Sequence, residues 1–168
     1  MSSIRSDIVA QAEFFTSTHR IIGEVPTGPK PLSDLLNDQS QSYLLAYNVY
    51  LSRLNTPGEI DAHAPVAYLS KANLSIVIVS SRETRSPDQG RFTEQEYEAL
   101  ATLPGIEVRG RFAGPRRIDL RSFSPAAIDP FLVLTGATAL LTDLPEQPFQ
   151  GDAILVSRSR LESLCLTE

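Results

Sequence analysis

Apolar and polar positions along the chain change period several times, and the period predicts the elements. Ile4, Ile8, Ala12 and Phe15 recur at helical spacing with Arg5, Asp7 and Gln11 between them, which predicts a short amphipathic helix over 4–15. "RIIGEV" reads as a strand, and "PTGPKP" breaks it with three prolines and a glycine. Two longer strand candidates follow, "SYLLAYNVYLSRL" and "VAYLSKANLSIVIV", separated by the loop "NTPGEIDAHAP". Residues 81–91, "SRETRSPDQGR", are polar and read as a linker. "FTEQEYEALATL" predicts a second helix. Thr93 stands as N-cap, Glu96 completes a capping box, Phe92 and Tyr97 occupy the staple positions, and Leu103-Pro104-Gly105 ends it. "IEVRGRF", "PFLVLTGATALL" and "AILVSRSRLESLCL" supply further strands.

This order of elements occurs twice. Gly23 matches Gly110, Gly28-Pro29 matches Gly114-Pro115, Lys30 matches Arg116, and Leu32 matches Ile118. Tyr43-Leu44-Leu45 matches Phe131-Leu132-Val133, Ser70-Lys71 matches Ser157-Arg158, and Leu74 matches Leu161. The separation stays between 86 and 88 residues throughout, which points to an internal duplication. The expected fold is mainly β with short α-helices (α+β), built as two tandem repeats. Residues 1–80 form the first repeat, 81–91 the linker and 92–168 the second. Each repeat is expected to be a short helix plus a four- to five-stranded antiparallel β-barrel-like unit. Repeats of this size sit near the lower limit for an independent core, so the two are expected to share apolar surface.

Composition narrows the functional classes. A net charge of -5 over 168 residues disfavours nucleic-acid binding by whole-surface attraction, although a local basic patch is compatible with it. The single cysteine, Cys165, excludes an intrachain disulfide and a multi-cysteine metal site, and it suits a reducing compartment. The chain start has Arg5 and Asp7 where a signal peptide would be apolar. The longest apolar run, "FLVLTGATALL", has 11 residues against the roughly 20 of a membrane helix. A cytoplasmic protein without a membrane partner is expected.

The paired apolar stretches that meet at "SKAN" and again at "SRSR" resemble the closing strand pair of Sm-like barrels, and a helix before the first strand is similar to their arrangement. The resemblance spans roughly residues 4–79 and 92–166 and implies small β-barrels. The turns carry Lys71-Ala72-Asn73 and Arg158-Ser159-Arg160, without the glycine of the Sm-type RNA site, so the resemblance implies architecture and not uridine binding. Arg117 and Arg121 have the Arg-x-x-x-Arg spacing with which PilZ barrels hold cyclic di-GMP, a second resemblance, which lacks the downstream Asp/Asn-x-Ser-x-x-Gly element.

Candidate chemistry is sparse. A serine nucleophile needs a base, and the chain has only His19 and His63. Ser33 is read instead as the cap of a single helical turn, "SDLLN", with Asp34 complementing its N-terminus. Glu59, Asp61 and His63 alternate in "EIDAHAP" and would share one side of an extended segment; they are read as solvated polar groups and not as metal ligands. Cys165, among leucines, is expected to be a buried inert thiol. Tyr47 and Tyr50 are kept as candidates for a site specific to the first half.

Arg109, Arg111, Arg116, Arg117 and Arg121 cluster in the second half. Alternation would put Arg109 and Arg111 on one face, with Arg116 and Arg117 brought close by a Gly114-Pro115 turn. The expected function is a non-enzymatic binding or scaffold protein without a cofactor, joined to a protein partner or to itself through strand edges. The alternative is a nucleic-acid or cyclic-dinucleotide binder that uses the arginines of the second repeat.

Overall fold

The computed structural model describes residues 8–84, 94–116 and 129–167. Its strands, in chain order, are Val9–Phe15 (β1), His19–Pro26 (β2), Tyr43–Arg53 (β3), Ala62–Ser70 (β4), Ile76–Val79 (β5), Glu94–Leu103 (β6), Ile106–Pro115 (β7), Phe131–Leu141 (β8), Leu144–Ser157 (β9) and Ser163–Thr167 (β10). One α-helix, Leu32–Asn37 (α1), lies between β2 and β3.

Both helices expected to open the repeats are strands over their described residues, and residues 4–7 of the first lie outside the described residues. In β1, Ala10, Ala12 and Phe14 are buried at alternate positions; in β6, Tyr97, Ala99, Ala101 and Leu103 are buried and alternate with exposed Glu96 and Glu98. Ala, Glu and Leu favour helices when isolated, but pairing decides here. β6 pairs with β7 from Glu94↔Pro115 to Leu103↔Ile106, and β1 is paired on both sides, with β2 and β5. Of the expected capping box, Phe92 and Thr93 lie outside the described residues.

The barrel-like units are also corrected. All pairings are antiparallel within one open ten-stranded sheet of order β10-β6-β7-β8-β9-β5-β1-β2-β3-β4. Closing the first half would require β4 to reach the free side of β5. That side is taken by β9 of the second half, in the register Ile76↔Val156 to Val79↔Ala153. Each half therefore contributes five strands in the same order, β5-β1-β2-β3-β4 and β10-β6-β7-β8-β9.

Two apolar clusters lie on opposite faces of the joint between the halves. Val77, Val79, Ala153 and Leu155 face the first, whereas Ile76, Ile78, Ile154 and Val156 face the second. Strands buried on both faces need unbroken apolar runs, and "IVIV" and "AILV" supply them. Full burial of each of the larger side chains contributes about 1.5–3 kcal/mol.

Local irregularities recur in both halves. The register shifts between Ile22 and Glu24 at Gly23, and between Arg109 and Arg111 at Gly110. A Cβ on Gly110 would lie 3.0 Å from the carbonyl oxygen of Thr135, so the close approach of β7 and β8 requires glycine. Across the bulges, Asn48 (φ 52°) and Gly136 (φ 53°) adopt the same left-handed conformation. Short 3₁₀ turns at Lys71–Asn73 and Arg158–Arg160 follow the fourth strand of each half.

Part of the expected linker packs into the first half. Ser81–Glu83 forms a 3₁₀ turn, and the carboxylate of buried Glu83 accepts a hydrogen bond from the Leu32 amide at 3.1 Å. The remainder of that segment, from residue 85, lies outside the described residues. Among the described residues no helix is long and apolar enough to cross a membrane.

Candidate functional site

The joint shows how this sequence covers a strand edge. The outer face of β8 and β9 carries Phe131, Val133, Ala153 and Leu155, which pack into the apolar cluster of the first half. The Phe131 amide donates to Asn37 Oδ1 of α1 at 2.9 Å, and the Ser157 amide donates to the Ser75 carbonyl at 2.9 Å. At the loop end of the joint, Arg160 reaches across to the Ala72 carbonyl (3.2 Å) and Asn73 Oδ1 (2.8 Å), binding one 3₁₀ turn to the other.

The sheet ends on two further edges, the outer sides of β4 and β10. Val66 is 45% exposed and Tyr68 74% exposed on β4, beside Tyr43 at 58% on β3. β10 lays half-buried Leu164 and Leu166 against the second cluster and turns Cys165 outward. The expectation of a buried thiol is corrected. Cys165 alternates with the leucines that face the core, so it occupies the solvent side of a rim strand. Neither Val66-Ala67-Tyr68-Leu69 nor Ser163-Leu164-Cys165-Leu166 contains a charged residue. Natural sheets blunt free edges with charge or proline; Pro65 stands at the start of the β4 segment, and the four residues after it, like those of β10, carry neither device.

Lys71 and Arg158 hold the turns next to these edges. Lys71 Nζ donates to the carbonyls of Leu35 and Asp38 at the end of α1, the latter at 3.0 Å. Burial pushes its pKa down, against the opposing pull of the Asp38 carboxylate. Arg158 Nε donates to the Asp129 carbonyl at 2.7 Å, and burial likewise lowers its pKa against the charge of Asp129. The sequence reading treated these cations as turn residues and missed their carbonyl-holding role. Lysine or arginine directly after the closing serine of both fourth strands was the available signal.

Three of the five arginine candidates, Arg109, Arg111 and Arg116, lie among the described residues. Arg109 and Arg111 are exposed on the outer face of β7, as alternation predicts. Gly114-Pro115 continues the strand, paired with Gln95 and Glu94, where a turn was expected. Arg116 is exposed beyond the strand end, about 17 Å from Arg111 at the rise of an extended chain. There the Tyr97 hydroxyl donates to the Pro115 carbonyl at 2.7 Å and fixes the chain direction. Arg117 and Arg121 lie outside the described residues. Arg111 pairs with Glu96 at 3.5 Å, and Glu98 and Glu107 share the outer face, so guanidinium charge is offset by carboxylates there.

The remaining candidates are engaged elsewhere. α1 is capped by Pro31, and Ser33 sits inside the helix, buried, with no partner for its Oγ among the described residues, so the capping role expected of Ser33 is corrected. The Glu83 carboxylate takes up the Leu32 amide instead. Asp61 Oδ2 accepts from the Arg53 amide at 3.1 Å. His63 lies 2.8 Å from Asn48 Oδ1 and stacks on Tyr50 with ring centroids 4.4 Å apart. Among the described residues no three His, Cys, Asp or Glu side chains converge as a metal site.

The outer edges of β4 and β10, with the apolar patch of Tyr43, Val66 and Tyr68, are thus the surface whose composition calls for an explanation. Comparison with protein-family models, with curated proteins and with solved structures gives no match.

Proposed function

We propose that the protein is a non-enzymatic scaffold that assembles with copies of itself through the outer edges of its sheet. One observation carries this reading: both terminal strands present uncharged, largely apolar edge segments, and on β4 large side chains beside the edge stand in solvent. An open edge offers unpaired backbone donors and acceptors, and the apolar patch adds about 25 cal/mol for each Å² removed from water. The engagement of His63 with Asn48 and Tyr50, and the burial of Ser33, support a binding role over hydrolysis. An unpaired cysteine on an edge meant for pairing suits a reducing, cytoplasmic setting.

Light scattering on the eluting protein tests this reading. The expected mass is a multiple of the 18.4 kDa chain at micromolar concentration. It should fall to one chain in the Val66→Glu/Tyr68→Glu variant, with an unchanged circular dichroism spectrum. A wild-type mass of one chain at every concentration would overturn the proposal.

A further inference from the structure

The halves meet each other in a way that specifies how one copy meets the next. The strand pair β3/β4 has the same register as β8/β9: Leu45↔Tyr68 in the first half stands where Val133↔Leu155 stands in the second, with Ser70 and Ser157 opening the two 3₁₀ turns. Tyr43, Val66 and Tyr68 therefore occupy the places of Phe131, Ala153 and Leu155. The second-half residues are buried, at 3%, 1% and 0% exposure, and the first-half residues are exposed. The side chains are apolar or aromatic in both halves; what differs is that the second-half set is covered by β5 and α1.

The strand that does the covering has its own counterpart. The Ser75 amide donates to the Phe15 carbonyl at 2.7 Å as β5 begins, and the Glu162 amide donates to the Thr102 carbonyl at 2.7 Å as β10 begins. β10 thus lies on β6 as β5 lies on β1, and among the described residues no strand pairs with its outer side.

We infer that a second copy of this chain supplies the missing strand: β10 of one copy adds antiparallel to the outer edge of β4 of the next, repeating the β5–β9 joint between molecules. The inference rests on the edge-assembly reading and adds its partner strands, register and direction. Transposed from the internal joint, the pairs are Ser163↔Leu69, Leu164↔Tyr68, Cys165↔Ala67 and Leu166↔Val66. The two edges differ, so contact is head-to-tail and not two-fold. It generates a ring where the rotation closes and a filament where it does not. On the face where Ile76 and Ile78 pack at the internal joint, the equivalents are Ser163 and Cys165, which makes the contact between copies the more easily broken of the two.

The register makes a disulfide test direct. Directly opposed residues of an antiparallel pair have Cα atoms about 4.5–5.5 Å apart, within disulfide range. Ala67→Cys under mild oxidation should link to native Cys165 of the neighbouring copy and give a ladder of trimers and larger species on a non-reducing gel. The ladder should vanish in Ala67→Cys/Cys165→Ser, and it should not form with Val66→Cys, whose side chain points to the opposite face. Where Ala67→Cys fails to assemble under reducing conditions, Tyr68→Cys/Leu164→Cys/Cys165→Ser tests the adjacent rung, and a ladder is again expected. An assembled wild type whose variants give no ladder, or dimers alone, overturns this register while leaving edge assembly standing. A wild type that is a single chain in solution overturns both.

Discussion

Glu83 shows how one side chain ties a distant segment to a helix end. Its carboxylate meets the Leu32 amide across 51 residues of chain, and both groups are buried. Removing the acceptor leaves a buried N–H unpaired, which costs about 1–3 kcal/mol. Glu83→Ala should lose that amount in urea denaturation, and Glu83→Gln, which keeps a carbonyl acceptor, should lose less. Equal stability of Glu83→Ala and wild type would show that the contact contributes nothing. The sequence reading assigned the cap to Ser33 because Ser at the head of "SDLLN" is a good local candidate. The actual acceptor comes from a stretch that composition marks as a loop, and local pattern cannot reveal a partner so far along the chain. Cys165 was misread for a related reason: its leucine neighbours suggest a core, but alternation on a rim strand places every second residue in solvent.

At the scale of elements, the strands from "RIIGEV" onward were legible and the first strand of each half was not. "VAQAEFF" and "EQEYEALATL" contain residues with high helix propensity, and "TEQE" imitates a capping box. The decisive signal was the two-residue alternation of Tyr97, Ala99, Ala101 and Leu103, which small alanines make faint. Glu98→Thr separates the two assignments. Glu98 is exposed and paired with Arg111 across the strands. In a strand the substitution should leave stability within about 0.5 kcal/mol of wild type or raise it; a loss above about 1 kcal/mol would favour a helix. The loop expected over 55–65 is corrected at its end, because residues 62–65 belong to β4. A proline inside β4 marks an edge strand, and it stands next to Val66 at the open edge. Arg109 and Arg111 were placed on one face correctly by alternation. The convergence of Arg116 with them depended on a turn at Gly114-Pro115 that pairing with β6 removes.

At the scale of the whole molecule, the near-constant spacing of matched residues corresponds to a repeated strand order, repeated bulges and repeated 3₁₀ turns. What recurs is this strand order and not the helix-plus-barrel repeat expected from the sequence. Barrel closure was not legible, because both a closed half and an open, joined one require the same five strands. Which edge β9 takes is decided by apolar surface on both faces of β5, through contacts far apart in sequence. The same surplus of apolar edge recurs unpaired on β4, and it is the reason to expect copies to associate despite a net charge of -5 on each.

Amide hydrogen exchange as a function of concentration reads directly whether the outer edges of β4 and β10 are paired in solution. The outward amides of residues 66–69 and 163–166 should be slowed by about tenfold or more in concentrated protein, with protection approaching that of 76–79 and 153–156. That protection should disappear on dilution and in Val66→Glu/Tyr68→Glu. Exchange of the outer amides at the rate of solvent-exposed backbone at every concentration, while 76–79 stay protected, would contradict assembly through these edges.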